Sequence, residues 1–307
     1  MQRLKGKVAV VTGAGRNIGR AEAMLLAEQG AKVVVNDLGG GSYGTEAGDA
    51  ALAEQVAKEI RDAGGEAVAQ FSSVATQEGA EAVVDKAIET WGRIDILVNN
   101  AGIVRPARID RMTDQDWNLC MDVSLTSSFW TCRRAARHMI EQRSGVIVNT
   151  GSPSGFGHLH MANYSAAKEG LLGMTRSIAR DLGEFGVRAN LIRPVSHITG
   201  TYTPEIQTTI DESARLGIPL LWNKPMSAPR MQALPAHVAA LVVWLCTDNA
   251  GHISGRDFYI QGDEVAVLPE PEAIRTSINP GGWTLEAFDD PANREFLFGD
   301  IRNRFLR

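Results

Sequence analysis

Cysteine is scarce in this chain: Cys120, Cys132 and Cys246 are the only three in 307 residues, and they share no metal-ligand spacing. That excludes a disulfide framework and leaves small buried thiols in a reducing compartment as the expectation. An excess of positive charge is missing too, since 31 Lys plus Arg face 36 Asp plus Glu for a net charge of -5. No general attraction to nucleic acid or to an anionic membrane follows. Long apolar runs are also absent. The longest, Val238 to Cys246, falls far short of a membrane span, and the opening MQRLKGKVAVV lacks the apolar region and small-residue cleavage site of a signal peptide. There is no repeat and no low-complexity tract. These absences predict a soluble, cytoplasmic protein with no nucleic-acid, membrane or metal partner.

What the chain does have is a rhythm. Short β-branched runs alternate with amphipathic segments, as in KVAVVTG then GRAEAMLLAEQG, AKVVVND then DAALAEQVAKEIRDAGG, and EAVAQFSS then EGAEAVVDKAIETWG. Each pair reads as a buried strand followed by a helix of 3.6 period that ends near a glycine. The pattern continues through IDILVNNAG, a long helical pair, GVIVNTGS, the helix ANYSAAKEGLLGMTRSIARDLGEFG and VRANLIRP, and resumes after an irregular break with the helix PAHVAALVVWLC and a closing strand near GRDFYIQGD. Strands without in/out alternation are covered on both faces, so the fold class is α/β: a single doubly wound Rossmann-type domain with a parallel sheet. The expected catalytic domain spans 1–265. It includes an irregular, Pro- and Thr-rich substrate loop at about 195–234 with one possible short helix, a length of loop that is usually functional. Residues 266–307 read as a C-terminal extension with a helical turn starting at Thr284. They are too apolar for a disordered end, which predicts packing on the body or on a neighbouring subunit.

TGAGRNIG, Thr12 to Gly19, follows a strand and enters a helix. There Gly13, Gly15 and Gly19 can supply a tight turn and a close backbone approach while the helix N-terminus faces a pyrophosphate. Asp37, 18 residues beyond Gly19 at the end of the second strand, can accept from ribose hydroxyls and would repel a 2′-phosphate, which predicts NAD over NADP. Its bland alternative is a polar strand terminus. Tyr164 and Lys168 stand four apart in a helical pattern and share a face. A cation near a phenol favours phenolate and makes tyrosine a usable acid or base. Ser152 ends the strand GVIVNTGS, at the carboxyl edge where open α/β sheets bind ligands.

These residues together resemble the short-chain dehydrogenase/reductase family: TGAGRNIG, NNAG at 99 to 102, GS at 151 and 152, YSAAK from 164 to 168, and RANLIRP. The likeness covers about residues 4 to 262, and VVVNDLGG with the extended C-terminus is similar to the family's hydroxyacyl-CoA and hydroxysteroid dehydrogenase-like members. It implies that Ser152, Tyr164 and Lys168 are catalytic. Tyr164 would exchange the substrate's hydroxyl proton, Lys168 would lower its pKa and bind the nicotinamide ribose, and Ser152 would hold the substrate oxygen. It implies cofactor binding by Gly13, Gly15, Asn17, Ile18, Gly19, Asp37, Ser73, Val74, Asn100, Ala101, Gly102, Tyr164, Lys168, Pro194 and Val195. Ser154, Phe156, His158 and Met161 are the expected substrate-pocket residues.

Four positions depart from the family pattern. Asn17 replaces a glycine, but asparagine tolerates left-handed backbone angles well. Ser73 stands where an aspartate often holds adenine, and Ser124 stands where an asparagine commonly completes the proton relay. The Ser152 to Tyr164 interval is one residue shorter than usual, which leaves Ser154 as an alternative to Ser152. Arg105, Arg108 and Arg111 could meet a CoA phosphate or form a solvated face.

The resulting expectation is an NAD-dependent oxidoreductase, assembled as a homodimer or homotetramer. Its substrate would be a small hydrophobic secondary alcohol or its ketone, such as a hydroxysteroid or an aryl alcohol. The alternatives are a 3-hydroxyacyl-CoA dehydrogenase and a non-catalytic NAD-binding regulatory or scaffold protein.

Overall fold

The computed structural model describes residues 2–44, 48–196, 203–218 and 232–301. Every β-branched run becomes a strand: β1 (Val8–Thr12), β2 (Lys32–Asn36), β3 (Glu66–Gln70), β4 (Ile96–Asn99), β5 (Gly145–Thr150), β6 (Val187–Val195) and β7 (Asp257–Gln261). They pair in parallel in the order β3-β2-β1-β4-β5-β6-β7. β1 lies between β2 and β4, so the order reverses beside it. A crevice forms there at the carboxyl ends of the strands.

The strands are apolar throughout because helices cover both faces. Ala9, Val11, Val33, Val35, Ile96 and Val98 point to one side, against α1 (Asn17–Glu28), α2 (Ala51–Asp62) and α8 (Pro235–Leu245). Val8, Val10, Val34, Leu97 and Ile147 point to the other, against α3 (Gln77–Trp91) and α5 (Ser127–Gln142). The alternation is still present, but both faces bury it. Between α4 (Asp114–Met121) and α5 the chain makes a π-helical turn, Asp122–Thr126, with Ser124 at its centre and fully buried. α6 (Ala162–Leu182) follows β5 after a 3-10 turn, Pro153–Phe156.

Two features go beyond the sequence reading. The irregular loop contains a twelve-residue helix, α7 (Pro204–Arg215), capped by the Thr203 hydroxyl; 197–202 and 219–231 of that loop lie outside the described residues. The sheet also continues past β7 into an antiparallel edge strand, β8 (Glu264–Val267). Beyond it, Thr284 caps α9 (Leu285–Asp289) as expected, and α10 (Pro291–Phe298) follows. Trp283 stacks on Phe288 with ring centroids 4.8 Å apart, while Ile274, Ile278 and Leu285 are open to solvent.

One buried group works against the core. Glu22 lies on α1, which packs against α8, is fully buried, and neither carboxyl oxygen has a hydrogen-bond partner among the described residues. Burial pushes its pKa up to about 8. The folded state therefore keeps the proton through a range where the unfolded carboxyl has lost it. The stability this group allows is full below pH 4.5 and is lost as pH rises through about 8, costing about 3 kcal/mol by neutral pH. Glu22→Met should raise the melting temperature more at pH 8 than at pH 5. Equal gains at the two pH values in a thermal-melt series would refute the assignment.

Candidate active site

The turn after β1 is built around absent side chains. A Cβ on Gly19 would sit 2.2 Å from the Gly13 carbonyl oxygen and 2.5 Å from the Asn100 amide nitrogen, so only glycine lets α1 start this close to β1. Asn17 has φ +51°, a left-handed angle that asparagine accepts at low cost, so the turn keeps its shape despite the missing glycine. Asn100 donates to the carbonyl oxygens of Thr12 and Gly13 at 3.0 Å each, tying the end of β4 to this turn. Asn99 donates to Asn149 at 2.9 Å and accepts from Thr131 at 2.7 Å inside the sheet.

Asp37 follows β2 directly. One carboxylate oxygen accepts the Gly15 N–H at 2.8 Å and the other accepts the Gly39 N–H at 2.7 Å, which holds the group rigidly beside the turn. Gly40, Gly41, Ser42 and Gly44 then line the same crevice, and the Gly40 carbonyl accepts from the Arg16 guanidinium. The Tyr43 hydroxyl donates to Thr203 at 2.7 Å at the start of α7, and Arg105 holds the Tyr43 carbonyl at 2.6 Å. In the sequence this stretch, LGGGSYG, follows Asp37. Its four glycines were the available signal that a backbone lies close to a ligand cleft.

At the other end of the crevice, β5 delivers Ser152 and α6 delivers Tyr164 and Lys168. All three are buried and all three line the crevice. Ser152 lies near enough to the Tyr164 hydroxyl to favour its ionised form, and the Lys168 ammonium sits 5.6 Å from the Tyr164 ring centre while donating to the Thr150 carbonyl at 2.7 Å. Burial is the largest influence on both. It pulls Lys168 down to about 8, and it pushes Tyr164 well above an ordinary phenol, with the neighbouring Cys120 adding to the rise and Ser152 opposing it. In the chain by itself, then, desolvation outweighs any lowering of the phenol by the ammonium. Ser124 stands close by: its hydroxyl lies 3.5 Å from the Ile103 N–H, and a Cβ on Gly102 would meet both it and the lysine ammonium.

The crevice also collects Gly13, Asn17, Ile18, Gly19, Asp37, Ser73, Val74, Asn100, Ala101, Gly102 and Pro194. Ser73 spends its hydroxyl on the Ala75 N–H at 3.2 Å. Val195 ends β6 opposite Gln261. The four expected pocket residues gather beside the crevice rather than on its walls. Ser154 bonds one ring nitrogen of His158 at 3.1 Å and Thr209 of α7 bonds the other at 2.9 Å, so His158 links the Ser152 turn to α7. Burial pulls His158 down to about 4, leaving it neutral. Phe156 lies over Arg193, and Met161 packs in an apolar cluster with Tyr164 and Val104. Of the three arginines, Arg105 pairs with Asp116 at 2.6 Å and Arg108 with Asp110 at 2.5 Å.

A family model described as short chain dehydrogenase matches residues 7–208. The chain belongs to the short-chain dehydrogenase family. The family's reach here extends past that match: a solved short chain dehydrogenase from Mycobacterium avium superposes with a TM-score of 0.78 at 33% identity, covering 98% of this chain and 97% of that one. The 3-oxoacyl-(acyl-carrier-protein) reductase of Synechocystis sp. is 35% identical over 267 residues, 86% of this chain and 99% of the reductase. The peroxisomal multifunctional enzyme type 2 of Mus musculus is 40% identical over 257 residues, 82% of this chain. This chain spans only 31% of that mouse protein's length. Among the described residues no helix is long and apolar enough to cross a membrane, and no cluster of His, Cys, Asp or Glu could hold a metal ion.

Proposed function

We propose that this chain is an NAD(H)-dependent oxidoreductase that interconverts a 3-hydroxyacyl thioester and its 3-oxo form. The observation that carries the chemistry is the gathering of Ser152, Tyr164 and the Lys168 ammonium on the crevice that also holds Asp37. The substrate class is supported by the Synechocystis 3-oxoacyl-(acyl-carrier-protein) reductase, which this chain matches over nearly its whole length, and by the likeness to hydroxyacyl-CoA dehydrogenase-like members of the family. They favour the thioester over the hydroxysteroid or aryl alcohol that the motifs alone suggested.

The residues present fit a nicotinamide dinucleotide. Gly13 and Gly19 let the first turn pack tightly enough to bring the N-terminus of α1 onto the crevice, and Asp37 offers a carboxylate to an adenosine ribose. Lys168, with one donor on Thr150, has others for the second ribose. The cofactor supplies hydride transfer when bound. Ser152 orients the substrate oxygen, and Tyr164 gives it a proton during reduction or takes one during oxidation. The fixed carboxylate of Asp37 supports NAD over NADP.

Production of reduced nicotinamide, followed by absorbance with 3-hydroxyacyl-CoA, hydroxysteroid and aryl alcohol substrates and with NAD or NADP, tests both assignments. The thioester with NAD should respond best. A better response from the steroid or the aryl alcohol would move the substrate back to that class, and NAD binding with no turnover in any class would favour a non-catalytic role. The solvent-facing apolar side chains of 274–301 support packing of the extension on a neighbouring subunit of a homo-oligomer. Truncation after Leu268 should then lower the mass seen by sedimentation; an unchanged assembly would count against it.

A further inference from the structure

Arg193 is the largest fully buried side chain among the described residues, in a strand whose neighbours Leu191 and Ile192 are apolar. A guanidinium there costs several kcal/mol of desolvation unless its contacts offset it. Its Nε donates to both carboxylate oxygens of Asp257 at 3.0 and 2.8 Å, at the start of β7. Nη1 donates to the Ser152 carbonyl at 2.9 Å, and Nη2 lies 2.9 Å from the Glu169 carboxylate in an ion contact without hydrogen-bond alignment. The guanidinium plane sits 4.3 Å from the Phe156 ring centre. A Cβ on Gly155 would come within 2.6 Å of Nη1, so the turn after Ser152 is moulded on this side chain.

The bonds fall on both sides of the reacting groups. Ser152 precedes the turn, Glu169 follows Lys168 directly, and the Ser152 carbonyl that Arg193 holds also accepts the Gly155 N–H at 3.0 Å. A methionine would fill much of the same space, whereas only the planar fork of arginine reaches all three partners at once. We infer that Arg193 is a positioning residue, which sets the Ser152–Phe156 turn against Tyr164 by clamping the Ser152 carbonyl from beneath the sheet edge. This rests on the reading of Ser152 and Tyr164 as reacting groups.

Two variants test it. Arg193→Lys keeps the charge beside Asp257, and Arg193→Met with Asp257→Leu replaces the ion pair by apolar groups so that folding does not depend on an unpaired buried charge. Hydrogen exchange of the 152–158 segment should quicken about tenfold or more in both, with β1 unchanged. Turnover should fall about tenfold or more while NAD affinity stays within about twofold. Unchanged exchange at 152–158 overturns the inference whatever the activity, and faster exchange with unaltered turnover overturns the positioning role. Absence of turnover in the unaltered protein on every substrate class would instead overturn the dehydrogenase reading, and the exchange result would still decide the clamp.

Discussion

Tyr164→Phe is expected to lower turnover by about 10²–10⁴-fold while leaving NAD affinity nearly intact. The phenyl ring keeps the apolar contacts of Tyr164 with Val104 and Met161, so the substitution removes little besides the proton carrier. The direction of the pKa shift adds a second test. Burial holds the phenol above its usual range, so at neutral pH the acid is ready and the base is scarce. Reduction of the ketone should vary little through neutral pH, whereas oxidation of the alcohol should climb as pH rises. Undiminished turnover in the variant, or an oxidation rate flat from mildly acid to mildly alkaline pH, would remove Tyr164 from the chemistry.

Asp37→Ser should cut the preference for NAD over NADP, measured as the ratio of kcat/KM values, by about 100-fold. The carboxylate is fixed by Gly15 and Gly39, so it cannot swing away from a 2′-phosphate. Two like charges about 4 Å apart near a protein surface repel by about 4 kcal/mol, more than enough for that ratio. Arg16 lines the same crevice and keeps its positive charge while donating to the neutral Gly40 carbonyl, so it faces a 2′-phosphate equally in both proteins and the ratio isolates Asp37. A ratio that moves by less than about threefold would mean that some other group selects the cofactor. Comparing melting temperatures of the two proteins separates lost charge from a loosened turn.

Much of this was legible in the chain. Seven strands announced themselves because a parallel sheet covered on both faces demands unbroken β-branched runs. The crevice residues from β1 and β2 were readable because glycine and a terminal carboxylate have few other reasons for that spacing. β8 was harder to see, because four residues at an exposed edge, half of them turned to solvent, carry almost no hydrophobic signal. α7 was legible only as a possible short helix, because the prolines and threonines around it read as a loop although Thr203 caps it by accepting the Ile206 N–H. Arg193 was invisible in its role. Its partner Asp257 is 64 residues away, and a lone arginine before a proline gives no sign that it is buried. Ser154, Phe156 and His158, expected in the substrate pocket, stand beside the crevice instead, and local sequence could not show that they bond Thr209, Arg193 and one another.

The three sparse cysteines give the folded chain a built-in reporter. Burial pushes Cys120 up to about 11 and both Cys132 and Cys246 up to about 12, so a thiol reagent finds almost no thiolate until the protein opens. Each marks a different layer: Cys120 beneath Tyr164, Cys132 between α5 and the sheet, and Cys246 at the end of α8 on the opposite face. Their separate labelling rates would convert into local opening free energies for the reacting site and for each face of the sheet.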